Sequence, residues 1–386
     1  DKQGFLPELM EKMYTERVVF KKKSIEAKKE YQKTKDPIYK NEISRCHNIQ
    51  MAKKISLNSA YGAIGNQYFR YFDVKQAEAI TLGGQLSIRW VERDVNRFMN
   101  KLLYTDNVNY IVASDTDSIY LKLDKLVEKV CKDKTPQQIT DFLDKAAEEK
   151  IQKVIDDSFK NLAEYVNAYQ QKMIMKREAI ANKGIWVAKK RYMMNVFDEE
   201  GIRFDIPKLK IMGVEAVKSS TPEVCRGKIK DAIRVIMNDN EDALIKFVTD
   251  FKEVFKSLSP EEVAFPRSCN NLGKYTNSSN IYNKGTPIHV KGALIYNHNI
   301  YRHKLSAKYP IIKDGDKIKF LMLKQPNVVK DTVISFSTKI PYEFDLHKYV
   351  DYDTQFEKTF TDPLRFILDS IGWKLEREAT LEAFFG

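Results

Sequence analysis

Residues 6–35 are polar and dense in Lys and Glu, yet apolar side chains return at Leu6, Leu9, Met10, Met13 and Val18. That interval is the spacing of one helix face, so the segment is predicted helical. Lys35-Asp36-Pro37 breaks the rhythm, and helical character resumes over about 41–58. Two charged helices joined by a short turn predict an antiparallel hairpin. A third helix is predicted over 77–99, with Ile80, Leu86, Ile88, Trp90, Val91 and Val95 as its buried stripe. Two short β runs then flank an acidic tip, from Tyr110 to Leu121. Helices are predicted over 136–169. A β-rich stretch follows over 172–204, with apolar runs starting at Met173, Trp186 and Tyr192. After Ser219-Ser-Thr-Pro a helical block begins, with Thr221 as N-cap and Pro222 at the first helical position, and this is the best candidate for a domain boundary. Past Asn270 the pattern is mixed, and a last helix over 362–373 precedes a charged tail.

The 386 residues are 43% hydrophobic and 31% charged, which is ample for more than one core, since single cores rarely grow beyond about 250–300 residues. Lys and Arg outnumber Asp and Glu by 65 to 53, a net charge of +12. That balance points to a polyanionic partner, nucleic acid first, although many soluble proteins are basic too. Cys46, Cys131, Cys225 and Cys269 lie far apart, with neither zinc-ligand spacing nor a disulfide framework. The five histidines form no ligand cluster. No apolar run approaches the 18 or so residues of a membrane span. The chain opens on Asp1, which reads as processing or as trimming of a longer chain.

Four groups of residues could carry chemistry. Asp115 and Asp117 sit two apart at a β turn and can point to one side. Two such carboxylates repel unless a cation joins them, and Mg²⁺ prefers one or two carboxylates plus substrate phosphates. An Asx turn is the competing reading, because Asp favours turns for local reasons. Lys54, Asn58 and Tyr61 fall at i, i+4 and i+7 on one helix face, where they could serve phosphate and base, and Gly62 beside them allows close approach. Arg17 and Lys21 repeat the i, i+4 spacing on the first helix and can oppose Lys54 and Asn58, so that four donors surround one anion. Solvated faces are the plain alternative for both. Lys189-Lys190-Arg191-Tyr192 is read as strand, with Lys189 and Arg191 on one face and Lys190 and Tyr192 on the other. Basic residues there suit a nucleic-acid backbone, though charge runs are often only exposed.

These residues carry a resemblance. Lys54 through Asn66 resembles the fingers-helix motif of family B DNA polymerases, in the form used by T-even-type bacteriophages. Asp115-Thr-Asp117-Ser is similar to the palm hairpin motif of that family, and Lys189 through Tyr192 to its primer-template motif. The resemblance implies an α+β, partial right-hand fold: helical-hairpin fingers over 1–66, an antiparallel-sheet palm over 67–218, a mainly helical thumb over 219–375 and a clamp-binding tail over 376–386. Asp115, Asp117 and Lys54 would be catalytic, with the two aspartates and, more weakly, Glu178 near two Mg²⁺ ions. Arg17, Lys21, Lys54, Asn58 and Tyr61 would bind the incoming dNTP. Lys189, Lys190, Arg191 and Tyr192 would hold primer-template DNA. Lys176 departs from the pattern, since the resemblance implies an Asp at this place in phage relatives.

The resemblance also implies parts that this sequence does not contain. The family's Asp-x-x-Ser-Leu-Tyr-Pro-type strand is absent, as is the 3′–5′ exonuclease domain. The expectation is a trimmed chain or a polymerase split in two, inactive alone and partnered by an N-terminal polypeptide in the cytoplasm of an infected bacterium. The alternative is a catalytically incomplete DNA-binding or structural subunit of a replisome. In the tail, Leu381, Phe384 and Phe385 fall at i, i+3 and i+4 and make an apolar plug. The plug resembles the peptide by which such polymerases dock into a sliding clamp, with Glu378 where many carry Gln.

Overall fold

A computed structural model describes residues 3–375. The chain divides into two compact units. One runs to Asn182 and includes Val196–Lys208; the other holds Lys183–Asn195 and the chain from Leu209 onward.

The first unit opens with two long helices, α1 (Phe5–Thr34) and α2 (Ile38–Ile64). Lys35, in the left-handed conformation, closes α1, and Pro37 opens α2. The helices pack side by side through Ser24 and Ala27 of α1 and Cys46 and Gln50 of α2, small or polar residues that let two highly charged helices approach. The hairpin matches expectation, but α2 runs six residues past Asn58 and so keeps Tyr61 and Gly62 inside the helix.

Helix α3 (Val74–Leu103) is capped by Asp73, whose carboxylate accepts the amides of Lys75 and Gln76. Its buried stripe is Ser87, Val91, Val95, Met99 and Leu103. Ile80 and Leu86, expected in that stripe, are exposed. The C-terminal half of α3 packs against Ile155 and Phe159 of α6 (Gln152–Tyr165), and it is there that the apolar period translates into burial. The hairpin β1 (Ile111–Asp115) and β2 (Ser118–Leu121) follows, antiparallel with Asp115 opposite Ser118. Two asparagines of α3 hold the approach to it. Asn100 Oδ1 accepts the Val108 amide at 2.9 Å and Asn96 Oδ1 the Tyr110 amide at 2.8 Å. Helices α4 (Asp124–Val130) and α5 (Pro136–Ala146) and a π-helical turn lead into α6.

Strands β3 (Ala179–Ala188), β4 (Arg191–Glu199) and β5 (Ile202–Met212) form a sheet in that order, its residues shared between the units. The segment from Met173 to Met175, expected as strand, lies outside it.

The second unit continues with α7 (Glu223–Asn238), α8 (Glu241–Lys256), α9 (Pro260–Val263), β6 (Phe265–Ser268) and α10 (Leu272–Tyr275). Beyond them come β7 (Thr276–Asn277), β8 (Ile281–Tyr282), α11 (Ile288–Arg302), β9 (Lys317–Met322), β10 (Val333–Phe336), α12 (Tyr352–Phe356) and, after a π-helical turn, α13 (Asp362–Asp369). The expected cap of α7 shifts by one residue: Pro222 stands at the N-cap, and Thr221 precedes it without capping. One core joins α7, α8 and α13 around Ile229, Leu244, Phe255 and Phe360; another joins α11 to the antiparallel sheet β10–β9–β6. Gly292 makes the second possible, because a Cβ there would lie 2.5 Å from Ser335 Oγ of β10.

All four cysteines are buried and unbridged. Burial pushes the Cys225 and Cys269 thiols up to about 11, so both pack as neutral groups. Among the described residues no helix is long and apolar enough to cross a membrane. Leu381, Phe384 and Phe385 lie outside the described residues.

Candidate nucleotide and nucleic-acid site

An ion pair joins Lys53 of α2 to Glu16 of α1, and so brings the stretch of α2 that carries Lys54 beside the stretch of α1 that carries Arg17. Lys54, Asn58 and Tyr61 are exposed, as a ligand-facing row must be. Arg17 is half-buried, and its Nε has no hydrogen-bond partner among the described residues. A Cβ at Gly62 would meet nothing within 4 Å, so the space beside Tyr61 is open.

Lys21 is held differently. Its ammonium pairs with Glu200, in the β4–β5 turn. Glu200 (φ 54) and Gly201 (φ 80) are both left-handed, and the Glu200 amide donates to the Glu178 carbonyl at 2.7 Å. An unforeseen buried network braces this turn. The Asp198 carboxylate, fully buried, accepts from Arg177 Nη1, from Arg203 Nη1 at 2.5 Å and from the Gly201 amide at 3.0 Å. Asp144 of α5 accepts from the same two guanidiniums, Arg177 at 2.5 Å and Arg203 at 2.8 Å. Gln32 of α1 donates to the Arg203 carbonyl at 3.1 Å. The turn thus meets the first helix at two points, Lys21 and Gln32.

At the acidic tip, Thr116 adopts φ 56 and the Asp117 amide donates to the Asp115 main-chain carbonyl at 2.6 Å. Thr116 Oγ1 donates to Asp115 Oδ1 at 2.9 Å; Asp115 is half-buried and Asp117 exposed. Among the described residues no three His, Cys, Asp or Glu side chains gather as a metal cluster, so Glu178 does not complete one with these aspartates. Two carboxylates are still a donor set that fits Mg²⁺, which fills the rest of its shell with water and substrate phosphate.

The Lys189–Tyr192 motif differs from expectation. Lys189 and Lys190 are the two-residue turn between β3 and β4, not strand, and Lys190 has φ 61. Gly213 permits this, because a Cβ there would sit 2.1 Å from the Lys190 carbonyl oxygen. Arg191 begins β4 and donates to Glu215 at 2.7 Å; Lys218 pairs with the same carboxylate at 2.8 Å. Burial works against ionisation of Glu215, but Lys218 and Arg191 outweigh it and hold its carboxyl below the usual range. Tyr192 is buried, its ring stacked on Trp186 at 6.0 Å. The motif thus presents lysines at a turn and keeps its tyrosine inside.

Exposed polar and basic residues on the helical hairpin, a paired-carboxylate tip and a lysine turn are thus the chemistry-bearing groups of the described residues. The family model described as DNA polymerase family B matches residues 1–371, and the chain belongs to that family. It is similar to the DNA-directed DNA polymerase of Enterobacteria phage T4, 35% identical over 87% of this chain and 38% of the relative. It is also similar to that of Escherichia phage RB69, 37% identical over 87% of this chain and 38% of the relative. A DNA polymerase of Thermococcus gorgonarius is 27% identical over 97% of this chain and 40% of its own length. The chain therefore spans about two fifths of the relatives it matches.

Proposed function

We propose that this chain is the nucleotide-selecting and duplex-gripping part of a replicative DNA polymerase, working in template-directed nucleotidyl transfer from dNTP to a primer 3′ end. Residues 1–66 serve as fingers, 67–218 as palm and 219–375 as thumb. The observation that supports this best is the helical hairpin, where the Lys53–Glu16 ion pair brings the Lys54 stretch beside the Arg17 stretch and Lys54, Asn58 and Tyr61 are exposed.

Arg17 and Lys54 offer charge-assisted N–H donors to triphosphate oxygens, and Asn58 adds a neutral one. Lys21 joins them only by releasing Glu200, so the triphosphate and Glu200 compete for one ammonium. Tyr61 presents a flat ring to the nascent base pair. Asp115 and Asp117 are the residues that would hold Mg²⁺, which when bound supplies charge neutralisation and polarisation at the reacting phosphate. The rest of the acceleration is positioning, with the primer hydroxyl and α-phosphate held in line. We further propose that a third palm carboxylate and the exonuclease come from sequence beyond these 386 residues, on the same or a separate polypeptide.

Lys54→Ala tests the hairpin. A charge-assisted hydrogen bond is worth about 1.5–3 kcal/mol, so dNTP affinity is expected to fall about tenfold or more while duplex affinity barely changes. An unchanged dNTP dissociation constant counts against the assignment. For the tail, deleting the last eight residues should abolish binding to the cognate sliding clamp and spare DNA binding, since two buried aromatics can anchor a small interface. Clamp binding that survives the deletion refutes that role.

A further inference from the structure

We infer that Glu200 is a positioning residue that sets the polyphosphate affinity of the helical hairpin: it holds the Lys21 ammonium when no nucleotide is bound and passes to Lys29 when a phosphate takes its place. The inference rests on the reading that the hairpin binds dNTP. It adds two residues, Glu200 and Lys29, that no motif contains.

All three side chains belong to the first unit. Lys21 and Lys29 stand about 12 Å apart along the axis of α1, at 1.5 Å per residue. The β4–β5 turn lies along this stretch of the helix. Glu200 pairs with Lys21 at one end, and Gln32 donates to the Arg203 carbonyl at the other. Lys29 stands between these points. A Cβ built on Gly201 would lie 3.1 Å from Lys29 Nζ and 3.6 Å from its Cε, so this ammonium rests against the residue next to Glu200. Lys29 is exposed and makes neither a hydrogen bond nor an ion pair among the described residues.

Charge and burial then set the direction of the exchange. The Glu200 side chain is only 26% exposed, against 42% for Lys21. A carboxylate withdrawn that far from water is costly to leave without a cation, so it gives up one ammonium more readily when a second stands in reach. The backbone of the turn is tied down, since the Asp198 carboxylate accepts the Gly201 amide at 3.0 Å and the Glu178 carbonyl accepts the Glu200 amide at 2.7 Å. The exchange therefore calls only for the Glu200 side chain to swing from Lys21 to Lys29. A polyphosphate carries more charge than a carboxylate and takes Lys21 from it; when the polyphosphate leaves, Glu200 takes Lys21 back. Glu200 thus lowers polyphosphate affinity, and Lys29 raises it by relieving Glu200, without touching the ligand.

The test is calorimetric titration of the full 386-residue chain with dATP and, separately, with inorganic tripolyphosphate, comparing the unsubstituted chain with E200Q, K29Q, K29R and K21A and with the pairs E200Q/K21A and E200Q/K29Q. A part-exposed ion pair is worth up to a factor of about five, so E200Q should bind both ligands about threefold to fivefold more tightly. That gain should vanish in the K21A background, because Glu200 acts only through Lys21. K29Q should weaken both ligands about twofold to threefold, K29R should restore them, and E200Q/K29Q should bind as E200Q does. Lys29 is exposed, so K29Q keeps the fold even if E200Q does not. Affinity in E200Q that is unchanged or weaker overturns the inference, as does a gain that persists without Lys21. An effect of K29Q that is equally large in the E200Q background also overturns it, in favour of Lys29 meeting phosphate directly. In each of these cases dNTP binding by the hairpin still stands. Failure of the unsubstituted chain to bind either ligand brings down both readings.

Discussion

Asp117→Ala is expected to abolish primer extension in a polymerase reassembled from this chain and the remainder of a family B enzyme. The carboxylate stands exposed at the turn, with no part in the cores, so its loss removes charge at the proposed metal site and little else. Electrostatic groups aimed at developing charge are worth about 10²–10³ in rate, and a carboxylate that holds the metal should sit at or above that range. Duplex affinity, set by basic residues elsewhere, should stay within about twofold. Extension within tenfold of the unsubstituted enzyme would remove the tip from the mechanism.

Asp198→Ala carries the largest expected effect on stability. Removing one partner of a buried ion pair typically costs about 3–5 kcal/mol, because the remaining charge is left desolvated. Here the cost should fall near the lower figure, since Asp144 still holds both Arg177 and Arg203. At about 2–4 °C per kcal/mol for a unit of this size, the melting temperature should drop by roughly 6–12 °C. Asp198→Asn, which keeps the shape and some hydrogen bonds, should drop it less. The β4–β5 turn should loosen with the substitution, and Lys21 should lose its Glu200 partner for part of the time. A melting temperature within about 1 °C of the parent would show that the network does not support the fold.

The helical hairpin was legible because Lys35-Asp36-Pro37 interrupts two long charged periods, and a break of that kind has one simple solution. The β1–β2 hairpin was legible because β-rich runs flank two aspartates that favour a turn. Ile80 and Leu86 misled, since periodicity shows that a helix has an apolar face but not where along its length a partner covers it. Lys189 and Lys190 misled for another reason. Neither is a usual turn residue, and the turn depends on Gly213, more than twenty residues later, leaving room for the Lys190 carbonyl. The Asp198 network joins residues 21, 33 and 59 positions apart, which no local pattern reveals. Local chemistry was therefore readable at the motifs, and the scaffold that aims it was not. Lys21 shows the gap most clearly: its i, i+4 spacing with Arg17 was plain, its engagement by Glu200 invisible.

The central claim is that this chain supplies the nucleotide-selecting and metal-binding part of a DNA polymerase and needs a further carboxylate from outside these residues. Primer extension with Mg²⁺ and all four dNTPs tests it most directly, using this chain alone, a polypeptide carrying the N-terminal three fifths of a family B polymerase alone, and the two mixed. The expected result is salt-sensitive duplex binding without extension by this chain alone, and template-directed extension only in the mixture. Robust extension by this chain alone, or none from a mixture in which both parts are folded and bound to DNA, would contradict the account.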